Sequence, residues 1–63
     1  MSNKKINFKG KVYNCRYGSG YNSHYYTTVY DDADGRYIGE LEDTSWEHTN
    51  FMKKLENLVT ENA

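Results

Sequence analysis

Residues 5–17 read KINFKGKVYNCRY, and how this run is divided decides how many strands the protein has. Ile6, Phe8 and Val12 share one parity, while Tyr13, Cys15 and Tyr17 share the other. Such alternation is the mark of a half-buried strand, whose successive side chains take opposite faces. The parity changes just after Gly10. Glycine inside a strand pattern suggests a bulge, which re-aims the side chains that follow. The stretch therefore reads as one long bent strand, or as two short ones hinged at Gly10. The first of these gives the expected fold used below.

The rest of the chain follows from that start. Residues 1–4 form a polar lead-in. Residues 18–23, GSGYNS, are rich in turn formers. Residues 24–30, HYYTTVY, are β-branched or aromatic at six of seven positions, a strong strand signal. Both of their faces are rather apolar, as expected of a central strand. Asp34-Gly35 then marks a hairpin turn, since glycine accepts the positive φ such turns need. Residues 36–42, RYIGELE, make the returning strand, and Gly39 leaves room for a helix to lie close over it.

Residues 44–61 read as a helix. Thr44 and Glu47 fit a capping box. His48, Phe51, Met52, Leu55, Leu58 and Val59 recur at spacings of three and four as one apolar stripe. The expected fold is α+β in β-β-β-α order: a three-stranded antiparallel meander with a C-terminal amphipathic helix packed on one face.

A chain of 63 residues supports a single small domain with a thin core. Its mean hydropathy of −1.03 is polar, yet aromatic residues make up 16% of it, which argues against disorder. The only cysteine, Cys15, leaves no intramolecular disulfide. With neither a long apolar run nor a signal-peptide core, the chain is expected to be soluble and cytoplasmic, with no membrane contact.

Charge divides sharply along the sequence. Residues 1–30 carry five basic side chains and no acid, whereas residues 31–63 carry nine acids and three bases. Two opposed functional faces would produce this division. So would simple cross-strand pairing of opposite charges, the reading favoured for a sheet.

Motifs for small-molecule chemistry fail on their surroundings. Gly18-Ser19-Gly20 resembles a phosphate loop, but a strand and not a helix follows it. Asp32-Ala33-Asp34-Gly35 resembles part of a calcium loop, but Tyr30 and Leu41 stand where the first carboxylate and the bidentate glutamate belong. Cys15, His24 and His48 lack a zinc spacing, and no nucleophile turn or oxyanion element accompanies a Cys–His pair. The expectation is a protein that is not an enzyme and that takes no cofactor or metal.

One helix covers one face of a sheet. The uncovered face is expected to carry tyrosines, which tolerate water and supply contact area at interfaces. The favoured function is a small protein-binding module, in the style of a phage or mobile-element inhibitor or adaptor. Its aromatic anchors would be Tyr13, Tyr17, Tyr26, Tyr30 and Tyr37. Its charged rim would be Asp31, Asp32, Asp34, Glu40 and Glu42. The partner is another protein, and the same face also permits a homodimer.

The alternative is nucleic-acid binding through Lys5, Lys9, Lys11 and Arg16 with neighbouring tyrosines, since charge tracks phosphates and rings stack on bases. The layout of HYYTTVYDDADGRYIGEL followed by a capped helix resembles the sheet-plus-helix DNA-binding domains of phage integrase arm regions and plant AP2-type factors. That resemblance implies a sheet that reads DNA with several basic side chains. Strands two and three offer Arg36 alone, against five acids in residues 31–42.

Overall fold

A computed structural model describes residues 2–19 and 24–62. Four strands follow one another as an antiparallel meander: β1 (Ser2–Phe8), β2 (Lys11–Ser19), β3 (Tyr25–Asp31) and β4 (Tyr37–Glu42). One helix, α1 (Phe51–Glu61), closes the chain. The class is α+β as the sequence implies, but the sheet has four strands and not three.

The extra strand comes from the first stretch. Phe8 pairs with Lys11, and the two residues between them both take positive φ: Lys9 at 52° and Gly10 at 81°. Two such residues in sequence make the tight hairpin turn whose twist matches the flanking strands. The expected bend at Gly10 is thus a full reversal, and residues 5–17 form two strands. The expected lead-in belongs to β1 from Ser2 onward. Of the turn-rich residues 18–23, Gly18 and Ser19 continue β2, and residues 20–23 lie outside the described part.

Between β3 and β4 the turn is held by Asp31 and Asp34. The Asp31 carboxylate accepts from Ala33 N–H at 2.9 Å, and Asp34 accepts from Arg36 N–H at 2.9 Å. Gly35 takes φ 74°. The ladder then slips by one residue: Tyr30 pairs with Tyr37 and Val29 with Gly39, leaving Ile38 as a bulge. Ile38 is buried in the core.

Register assigns the two faces. Tyr13, Cys15, Thr27, Val29 and Leu41 share the helix side and are buried there with Phe51 and Leu55. Gly39 lies on this side too, and Leu58 fills the space its missing side chain leaves. Ile6, Phe8, Trp46, Leu58 and Val59 pack around the margin of this core.

The helix begins at Phe51 and not at Thr44. Thr44 is fully buried and forms no capping box. Its hydroxyl donates to the Glu42 carbonyl at 2.9 Å and accepts from Lys54 Nζ at 3.0 Å, and its carbonyl accepts from the Thr27 hydroxyl. These bonds pin residue 44 to the end of the sheet, so residues 45–50 serve as a turned connection. His48 is exposed in that connection, its Nδ1 accepting from Asn50 N–H at 3.1 Å. Met52, expected on the apolar stripe, is 44% exposed.

Candidate interaction face

The helix leaves one face of the sheet uncovered, and cross-strand pairing arranges that face in rows. Lys5, Asn14, Tyr30 and Tyr37 form one row across β1 to β4. Asn3, Arg16, Thr28 and Glu40 form the next. Gly18, Tyr26 and Glu42 form a third. Basic side chains thus stand toward β1 and β2, acids stand on β4, and tyrosines run between them.

Tyr30 and Tyr37 meet edge to face, with ring centroids 5.8 Å apart. Such pairs are favourable because the positive edge of one ring meets the negative face of the other. Tyr26 is half-buried. Desolvation and the carboxylates of Glu42, Glu40 and Asp43 all raise its pKa, so its hydroxyl keeps its proton and remains a donor. A hollow of about 260 Å³ opens beside Tyr30, lined by Asn14, Arg16, Tyr30, Asp31, Asp32 and Gly35. Among the described residues Asn14 Oδ1 is buried without a hydrogen-bond partner.

The expected anchors divide between the two faces. Tyr26, Tyr30 and Tyr37 share the open face with Asp32, Glu40 and Glu42. Tyr13 is on the helix side and only 7% exposed. Tyr17 is also on the helix side, stacked on Tyr25 at 5.5 Å and meeting Trp46 edge-on at 6.0 Å. Asp31 is buried on that side, where Lys11 Nζ lies 2.7 Å from its carboxylate. Asp34 is spent on its turn.

The basic residues divide as well, because the hairpin at Lys9-Gly10 separates them. Lys5 lies on the open face and pairs with Asp32 at 3.5 Å. Lys9, in the turn, pairs with Glu56 at 3.2 Å. Lys11 is on the helix side. The basic set Lys5, Lys9, Lys11 and Arg16, expected to act together, is therefore not gathered on one face. Arg16 is on the open face with no ion pair among the described residues. Much of the charge division along the chain becomes cross-strand pairing, with Lys5 and Lys11 meeting Asp32 and Asp31.

Asn14 and Thr28 belong to the open face but were not among the expected site residues. Asn14 shares its parity with Val12 and Arg16, and Thr28 with Tyr26 and Tyr30; parity is the signal the sequence offers. Cys15 is wholly buried, and burial pushes its thiol up to about 11. A neutral, enclosed thiol is a poor nucleophile. His24, Glu42 and Asp43 bring ligand atoms within 4.8 Å of one another, but all three are exposed. No helix among the described residues is long and apolar enough to cross a membrane.

A four-stranded antiparallel meander with a helix on one face is the class these features define. Comparison with family models, curated proteins and solved structures gives no match to the chain.

Proposed function

We propose that the chain is a small non-enzymatic protein-binding module, an adaptor or inhibitor, acting through the sheet face opposite its helix. The observation that carries this reading is the row arrangement: Tyr26, Tyr30 and Tyr37 on one uncovered face, bordered by Arg16 on one side and Glu40 and Glu42 on the other. Tyrosine supplies large, rigid contact area at low conformational cost, and aromatic residues dominate the energetics of interfaces. Rim charges act mainly on orientation and encounter rate. The neutral, buried Cys15 gives nucleophilic chemistry no support.

Nucleic-acid binding is supported less well. Of its four basic residues only Lys5 and Arg16 share the open face, and Lys5 is paired with Asp32.

The test is capture of a partner from cells of the protein's source by the wild type and by Tyr30→Ala/Tyr37→Ala. Capture should be lost in the double variant while its thermal midpoint stays close to wild type, since neither ring is in the core. Undiminished capture would refute the assignment of the face. Tight single-stranded oligonucleotide binding that weakens steeply with salt would favour the alternative.

A further inference from the structure

We infer that the protein bound by the open face is a second copy of this chain, forming a two-fold dimer in which each copy's Tyr37 enters the other's hollow beside Asn14. This rests on the reading of that face as a protein-binding surface, and it names the occupant.

Self-complementarity is what a two-fold interface requires: if residue i meets residue j of the partner, j must meet i. On this face the complementary features lie on opposite sides of β3. Arg16 pairs with Thr28 on one side, and Glu40 pairs with Thr28 on the other. In the next row Asn14 and Tyr37 flank Tyr30 in the same way. Two faces stacked about a two-fold axis running along β3 exchange these sides. Arg16 then faces the partner's Glu40, and Asn14 faces the partner's Tyr37. Tyr30 and Tyr26 meet their own counterparts near the axis. A two-fold axis running across the strands through this row would instead set Arg16 on the partner's Arg16 and Glu40 on the partner's Glu40. Charge therefore selects the first arrangement.

The hollow and the projecting ring fit the same scheme. Tyr37 is 54% exposed, so its ring is available to a partner. The hollow holds about 260 Å³. That lies below the roughly 300–1,000 Å³ of small-molecule sites and suits a side chain better. Asn14, which faces the partner's Tyr37 in this arrangement, is one of the residues lining it.

Size sets the strength. Strands about 4.8 Å apart and about 3.3 Å per residue give a four-stranded face on the order of 400 Å² before side-chain relief is counted. A stable interface buries about 800 Å² per partner. The expected dimer is weak and dissociates on dilution.

The test is sedimentation equilibrium from about 10 µM to about 2 mM, the range in which a weak, small interface titrates by mass action. The wild type should pass from monomer toward dimer across this range. Arg16→Glu and Glu40→Arg should each stay monomeric, because every dimer would carry two like-charge contacts. An equimolar mixture of the two should form a heterodimer, since one contact then sets glutamate at 16 against arginine at 40 and the other keeps the native pair of Arg16 and Glu40. Tyr37→Ala should also be monomeric, and it keeps the test open if a charge reversal fails to fold.

A wild type that remains monomeric at 2 mM overturns the dimer. If that monomer still captures another protein in a Tyr30- and Tyr37-dependent way, the protein-binding reading stands and only the occupant is wrong. If it captures nothing, both fall. A dimer indifferent to all three substitutions uses another surface and also overturns the proposal.

Discussion

Lys11 Nζ lies 2.7 Å from the carboxylate of Asp31, an acid only 4% exposed at the end of β3. The hydrogen bond from Lys11 is the main cause that holds Asp31 below the usual carboxylate range, helped by the bond from Ala33 N–H. The same pairing raises Lys11 above its ordinary value. A carboxyl depressed in the folded state binds fewer protons there than in the unfolded chain. Its contribution is present above the unfolded value of about 3.9 and is lost as pH falls through the folded value. Lys11 contributes below about 10.4, and that is lost as pH rises through its raised folded value. Urea midpoints should fall between pH 5 and pH 2 more steeply in the wild type than in Asp31→Asn. Identical acid limbs would show that the pair does not stabilise the fold.

Gly39 is a point of close approach between helix and sheet. A Cβ there would lie 2.6 Å from Leu58 Cδ1. Leu58 is half-buried and its methyl can shift, so Gly39→Ala should cost about 1 kcal/mol and Gly39→Val about 2–3 kcal/mol, the usual range for overpacking. In a Leu58→Ala background the cost of Gly39→Ala should shrink. A double-mutant cycle by chemical denaturation measures that coupling. Strict additivity would mean that the helix does not sit over Gly39.

Cys15 is enclosed under the helix, paired with Val29 in the ladder. With burial pushing its thiol up to about 11, little thiolate exists near neutral pH, and reagent cannot reach it. Labelling by an aromatic disulfide reagent at pH 7.5 should be slow in the folded protein and fast in denaturant. Its rate in the folded state should rise with each core-weakening substitution, because reaction requires opening. Rapid labelling of the native protein would place Cys15 at the surface.

The class of the fold was legible in the sequence, and the strand count was not. A bulge after Gly10 and a two-residue hairpin at Lys9-Gly10 produce the same change of parity, because the hairpin sets Phe8 and Lys11 on one face. Only turn chemistry separates them. Asparagine or aspartate before glycine is the usual signal, and lysine at positive φ gives none. Tyr13 and Tyr17 share the parity of Cys15, and its burial under the helix takes both to that side. The helix starts later than its local pattern implies, for a tertiary reason. Thr44 has the local pattern of a cap, but Thr27 and Lys54, distant in sequence, hold it instead. Tyr26 and Tyr30 share a face as their parity implies, since nothing interrupts alternation between them within β3. The hollow beside Asn14 depends on three elements meeting and left no trace in any one of them.

Photo-crosslinking tests most directly the claim that the uncovered face is the binding surface. A benzophenone amino acid at position 28, the centre of that face, is compared with one at position 52, exposed on the helix. The expected result is a discrete protein adduct from position 28, either a second copy or another chain, and none from position 52. Adducts from position 52 alone would contradict the account.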